Sequence, residues 1–197
     1  MISHVDWNDA DVSSSSSSML PTPQNSKFDQ DHTWFVDFLY YQPAKQDHIY
    51  PKEMCVLKLA ENSVAKRFFC KSNFAPANES EEHVIETQFG FHKMGINEGN
   101  VTDWVTRLRN IVQDDLIYVK GHAKMKTLAA HNFKAVNMDM IGVDQKNLNG
   151  VCPSFKQMYK DDKPGVSKCQ LHVDHGGLCA LTNIYIIKKW FKHYYYV

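Results

Sequence analysis

Three residues near the C-terminal end have the types and spacing to hold a metal ion. Cys169 and His172 form a Cys-x2-His pair, and Cys179 follows seven residues after the histidine. Zinc takes thiolate and imidazole ligands in a tetrahedron. A two-residue spacer lets both side chains converge from one tight turn, and the cation of Lys168 beside Cys169 would favour a thiolate there. A closed structural site needs a fourth ligand, and two residues qualify. His175 is local and would complete Cys-x2-His-x2-His-x3-Cys. Glu53 is remote, and a remote ligand contributes more to folding because it closes a longer loop.

A second group of residues has the chemistry for phosphate contacts. Lys120, His122, Lys124, Lys126, His131 and Lys134 make one basic stretch. Lys188, Lys189, Lys192 and His193 make another, followed by Tyr194, Tyr195 and Tyr196. Ammonium groups neutralise phosphates and aromatic rings stack on unpaired bases. On that basis Lys120, Lys124, Lys126, Lys188, Lys189 and Lys192 are candidate nucleic-acid contacts, although an ordinary solvated helix face has the same charge pattern. No Gly-rich phosphate loop, Gly-x-Ser-x-Gly elbow or Ser/His/Asp arrangement is readable.

The elements that must position these groups follow from periodicity. Residues 1–28 form an expected flexible tail, with the run Ser13–Ser18 and then Pro21 and Pro23 in a polar stretch, because such a segment buries too little apolar area to offset its ordering entropy. Folded sequence begins near Thr33 and is expected to run to residue 197. Residues 33–41 are rich in aromatic and β-branched residues and predict a buried strand, 52–59 alternate and predict a second, and 65–71 offer a third, in an antiparallel meander. Residues 73–101 show little periodicity. The spacing of Val101, Trp104, Val105, Leu108, Ile111 and Val112 predicts a helix with Thr102 as cap. Strands are predicted at 116–119 and 135–139, a helix from Gly121 to about Ala130, a short helix opening at Pro153, and a final amphipathic helix from Leu178 through Phe191. Strands first in a meander and later in crossovers imply an α/β fold with a mixed five-stranded sheet flanked by helices.

Composition narrows the class. The 197 residues, 43% hydrophobic and 22% charged, can bury a substantial core. Formal net charge is zero. Residues 1–32 hold five aspartates against one lysine, and the remainder is therefore at +4, a mild basic bias. No apolar run approaches the roughly 18 residues a spanning helix needs, and no signal peptide is readable. Five cysteines, an odd count, suggest a reducing intracellular setting, cytoplasmic or nuclear.

Three stretches resemble the Maelstrom domain, a germline small-RNA-pathway module with a ribonuclease-H-like fold. They are Tyr50-Pro-Lys-Glu53-Met-Cys-Val-Leu-Lys-Leu59, Cys152-Pro-Ser-Phe155, and Cys169-x2-His172-x6-Cys179-Ala-Leu181. The resemblance spans about residues 33–191 and implies a structural zinc held by Glu53, Cys169, His172 and Cys179, favouring Glu53 over His175. It also implies single-stranded RNA binding, protein partners in a transposon-silencing complex, and an RNA endonuclease activity that does not use metal-binding carboxylates. For such a cut, which needs a general base and a group to stabilise phosphorane charge, Lys120, His122 and Lys124 are the candidates. The HMG box of the family's fuller members is not readable here.

The same region is similar to DEDD exonucleases, to which that domain is related in fold. Phe35-Val-Asp37-Phe-Leu39 is similar to their first motif, Tyr118 to Lys126 to their Gly-His-Asn-x3-Asp motif, and Cys179 to Asn183 to their last helix start. Only Asp37 stays acidic. Leu39, Lys126 and Asn183 fall on the other three carboxylate positions, and Leu178 on that of the general-base histidine. Two-metal chemistry needs several carboxylates, so the sequence predicts that this chain is not a DEDD exonuclease, and that it is either an RNA-binding domain or a catalytically dead scaffold for protein partners.

Overall fold

The computed structural model describes residues 29–43, 49–71, 101–141, 152–161 and 179–195, together with residues 79 and 83. The expected tail, residues 1–28, lies outside them. Six strands form one mixed sheet: β1 (Thr33–Tyr41), β2 (Tyr50–Lys58), β3 (Lys66–Cys70), β4 (Val101–Thr102), β5 (Leu116–Val119) and β6 (Ala135–Asn137). Their spatial order is β4-β3-β2-β1-β5-β6. The meander β1-β2-β3 is antiparallel, whereas β5 joins β1, β6 joins β5 and β4 joins β3 in parallel. The five expected strands are present, and the two-residue β4 adds a sixth at the edge.

Side chains alternate across a strand, and β1 shows the consequence. Trp34, Val36 and Phe38 enter one core with Met54, Val56, Phe68, Ile117 and Val119. Phe35 enters the other with Cys55, Leu57, Leu59 and Tyr118. The first face is covered by α1 (Trp104–Val112) and α2 (His122–Ala130), through Trp104, Leu108, Val112 and Leu128. The second is covered by α3 (Phe155–Asp161) and α4 (Ala180–Tyr195), through Met158, Ile184, Ile187 and Phe191. The Phe191 ring sits 5.2 Å from Phe35 and 5.0 Å from Tyr118, in the range of favourable aromatic pairing. The result is a three-layer α/β arrangement. No helix among the described residues is long and apolar enough to cross a membrane.

Two helix starts differ from the sequence expectation. Residues 101–102 pair with β3, so the cap of α1 moves from Thr102 to Asp103, whose carboxylate accepts from the amides of Val105 at 3.4 Å and Thr106 at 3.2 Å. That carboxylate offers two acceptor oxygens to the unpaired first-turn amides, which a single hydroxyl cannot. Helix α3 opens after Ser154 rather than at Pro153. The Ser154 hydroxyl accepts from Gln157 N at 3.2 Å, and its carbonyl from Met158 N at 2.9 Å.

Connections are tied by a few polar groups. Asp115, in the turn before β5, accepts from Trp34 Nε1 at 2.8 Å and lies 2.8 Å from His32 Nδ1, which pins the start of β1. Gly121 joins β5 to α2 at φ 108°, a conformation that disfavours any side chain, and its amide donates to Asn137 Oδ1 at 3.1 Å. On α4, Lys188 donates to Lys58 O at 2.8 Å, Ala60 O at 2.5 Å and Ser63 Oγ at 2.7 Å. One buried ammonium thus closes the β2–β3 turn.

Lys188→Met should lower stability by about 2 kcal/mol, because charged hydrogen bonds are lost and acceptor carbonyls lose their donor. Lys192→Met, whose ammonium reaches the exposed Glu61 carboxylate, should leave the urea midpoint unchanged. Urea unfolding of both variants checks this, and equal shifts would contradict the role given to Lys188.

Candidate functional site

The most concentrated polar chemistry among the described residues lies where β5 ends beside β1. Parallel pairing of the two strands stops at Val36 and Val119. Asp37 is the next residue of β1 and is fully buried. Its alternation places it on the Phe35 face, under α4. Lys124, in the first turns of α2, reaches it from the other side and forms a buried ion pair with Asp37 Oδ1. Asn183 on α4 donates from Nδ2 to Asp37 Oδ2 at 2.8 Å. Tyr159 on α3 donates its hydroxyl to Asn183 Oδ1 at 2.7 Å. Both carboxylate oxygens therefore have a partner, as burial of a charge demands.

Aromatic rings surround the ammonium. Lys124 Nζ lies 5.5 Å from the Phe38 ring centre, 5.8 Å from Tyr40 and 6.0 Å from Phe155, close enough for cation–π attraction. Lys120 makes a second pair beside it. Its ammonium bonds Asp139, stands 3.6 Å from Cys152 Sγ and lies 5.8 Å from the Phe155 ring. Burial pushes the Cys152 thiol up to about 11, although Lys120 opposes the shift.

A different buried pair occupies the next strands. Glu53 on β2 is 1% exposed, and Arg67 on β3 holds it with Nε 3.0 Å from Oε1. Cys55 Sγ stands 3.9 Å from the same oxygen. Burial raises the Glu53 carboxyl above the usual carboxylate range, with Arg67 the main opposing influence. Cys55 is directly opposite Asp37 in the sheet, and Glu53 lies two residues beyond it, a step of about 6.7 Å along a strand. Cys179, the residue just before α4, lies four residues before Asn183, and its carbonyl accepts from the Asn183 amide at 2.9 Å, a step of about 6 Å along a helix. Since Asn183 sits over Asp37, Cys179 falls at the level of Glu53 on the same face. The field of Cys179 is also felt by Cys55 and Tyr159.

The sequence candidates fall into distinct places. Glu53 and Cys179 are buried on one face, whereas Cys169, His172 and His175 lie outside the described residues, as does Leu178. Among the described residues no three His, Cys, Asp or Glu side chains gather as a metal-holding group. Lys120 and Lys124 are buried and ion-paired, Lys188 is buried in the β2–β3 turn, and Lys192 meets Glu61. His122, Lys126 and Lys189 are exposed. The lysine that meets Asp37 is Lys124 rather than Lys126. Three participants were not singled out from sequence: Tyr159, Asp139 as the partner of Lys120, and Arg67.

This arrangement has one fully buried carboxylate, an ammonium, an amide and a phenol where a two-cation centre would need several carboxylates. Fold and site thus define a three-layer α/β domain with a charge-neutralised centre at the end of its middle strand. The chain matches no protein-family profile and none of the curated proteins compared with it.

Lys124→Met should cost about 3–5 kcal/mol, because it leaves Asp37 buried without its counter-charge. Adding Asp37→Asn should restore much of that loss. A double-mutant cycle by chemical denaturation reads the coupling, and strictly additive losses would contradict a direct pair.

Proposed function

We propose that the chain is a zinc-stabilised, single-stranded RNA-binding domain of ribonuclease-H-like, Maelstrom type, in which a salt bridge has replaced the cation-binding centre of a DEDD exonuclease. By the resemblance, its setting would be small-RNA silencing of transposons. The observation that carries the reading is the pairing of both Asp37 oxygens with Lys124 and Asn183. These are groups that a nuclease of that kind would not place there.

The zinc part rests on donor chemistry and register. Glu53, Cys169, His172 and Cys179 supply one carboxylate, one imidazole and two thiolates, a set zinc accepts in a closed tetrahedron. Cys179 opens α4 at the level of Glu53, and a helix N-terminus favours the negative charge of a thiolate. Such a metal would supply folding energy and clamp the last helix to the sheet.

The RNA part rests on where cations remain exposed. Ligands of α/β sheets bind beyond the carboxyl ends of parallel strands. Here that end is flanked by α2 and α3, neither with an acidic residue in its first turn. His122, Lys126, Lys156 and Lys160 are exposed on those helices. Phe155 links them by standing near both buried ammoniums. If the domain also cuts RNA, His122 is the one of the three catalytic candidates that reaches solvent.

The test is fluorescence anisotropy of an unstructured RNA across a salt series, without divalent cations. Binding at micromolar or better affinity is expected, and Lys126→Ala/Lys156→Ala/Lys160→Ala should flatten the salt slope by about 0.7 for each phosphate contact removed. Absence of RNA binding by the folded protein would overturn the reading in favour of a scaffold for protein partners.

A further inference from the structure

We propose that His32, Asp115 and Trp34 form a pH-sensitive clasp that fastens the entry of the chain into β1. None of the three takes part in the zinc or RNA readings above. Parallel pairing of β1 with β5 opens at Thr33 and Leu116, and the three side chains flank that first pair. His32 Nδ1 lies 2.8 Å from Asp115 Oδ1, and Trp34 Nε1 donates to Asp115 Oδ2 at 2.8 Å. Each oxygen of one carboxylate thus holds a ring from the start of β1 or the residue before it. The backbone closes the same loop, because Leu116 N donates to His32 O at 3.2 Å and His32 N to Asp29 O at 3.2 Å. The His32 side chain is 67% exposed and that of Asp115 is 21% exposed, so protons reach the imidazole while its partner is held against the strands.

A carboxylate at this distance favours the charged imidazole. The His32 ring accordingly titrates above its ordinary value of 6.5. The Asp115 hydrogen bond is the largest cause, followed by the charges of Asp115 and Asp29, while desolvation and Lys58 oppose. Among the described residues, the charged groups at this end are Asp29 and Asp31 of the preceding turn, Asp114 and Asp115 of the turn before β5, and Lys58 of β2. Lys58 lies 3.7 Å from Asp31 and 5.4 Å from the Trp34 ring centre. The Asp115 carboxyl lies below its ordinary value of 3.8. Burial opposes that shift, and the Trp34 and His32 bonds outweigh it. The two shifts give the clasp a window. The His32 contribution is complete below pH 6.5 and is lost as pH rises through the raised value of the folded chain. The Asp115 contribution is complete above pH 3.8 and is lost as pH falls through the depressed value. A neutral imidazole still donates through its Nδ1–H tautomer, so at higher pH the clasp loosens and does not open. The plainer alternative is an exposed ion pair that leaves the strand pairing unaffected.

The test is an NMR pH titration of the full chain combined with amide hydrogen exchange, from about pH 5 to about pH 8. In wild type the His32 ring should titrate above 6.5, and Asp115→Asn should return it toward that value. Protection of the Leu116 amide, corrected for intrinsic exchange, should fall about two- to fivefold as pH rises through the His32 titration, the scale of an exposed ion pair. His32→Gln, which keeps a neutral donor, should give a flat profile at the lower level. If Asp115→Asn does not fold, wild type against His32→Gln carries the comparison. A His32 titration unmoved by Asp115→Asn overturns the pairing on which the clasp depends. Protection that is flat in wild type, or that falls equally in His32→Gln, overturns the clasp and leaves the plainer ion pair.

Discussion

The ion pair between Asp37 and Lys124 is the contact on which the layers of this fold converge. Asp37 lies on the face covered by α3 and α4, while Lys124 comes from a helix that covers the opposite face. The two meet because β5 stops at Val119, one residue short of Asp37 in the register. The ammonium passes around the end of the shorter strand. Asn183 and Tyr159 then carry the connection to α4 and α3. Four elements are thereby joined through one carboxylate. A buried charge without that counter-charge would cost several kcal/mol, so the pair specifies how the helices sit on the sheet.

The same constraint shapes the neighbouring strands. Asp37, Cys55 and Arg67 are lateral neighbours across β1, β2 and β3, with Glu53 diagonal to Arg67. Two carboxylates and two cations therefore alternate across this end of the sheet, Lys124 with Asp37 and Arg67 with Glu53. Each charge is compensated locally, which is how an apolar interior tolerates ions. One pair lies at the foot of Asn183 and the other at the level of Cys179. The start of α4 is thus held by polar groups, while its later turns are held by Ile184, Ile187 and Phe191. On the proposed reading, zinc would reinforce the polar end.

Much of this was legible in the residues. The aromatic and β-branched content of 33–41 and the alternation of 52–59 predict the central strands, and both are buried almost throughout because helices cover both faces of the sheet. Cys55 and Cys70 lie within the expected strands, and both are buried. The pairing of Asp37 with a lysine was not foreseen. The motif set Lys126 on a carboxylate position, but helical residues turn by about 100° each, so positions two apart face nearly opposite ways. Leu128 is buried, and Lys124 precedes it by one turn. The apolar stripe, rather than the motif count, selects the inward lysine. The cap of α1 was misplaced because a two-residue strand carries no periodic pattern. Tyr159 and Arg67 were not legible, since their partners are 24 and 14 residues away in the chain, and only register brings them together.

The central claim is that Asp37 is neutralised from within and does not hold divalent cations. Electron paramagnetic resonance of Mn²⁺ titrated into wild type and Asp37→Asn tests it most directly, because free and bound Mn²⁺ give different signal intensities. The account predicts identical titrations for the two folded proteins. Mn²⁺ bound by wild type and released by Asp37→Asn would contradict it.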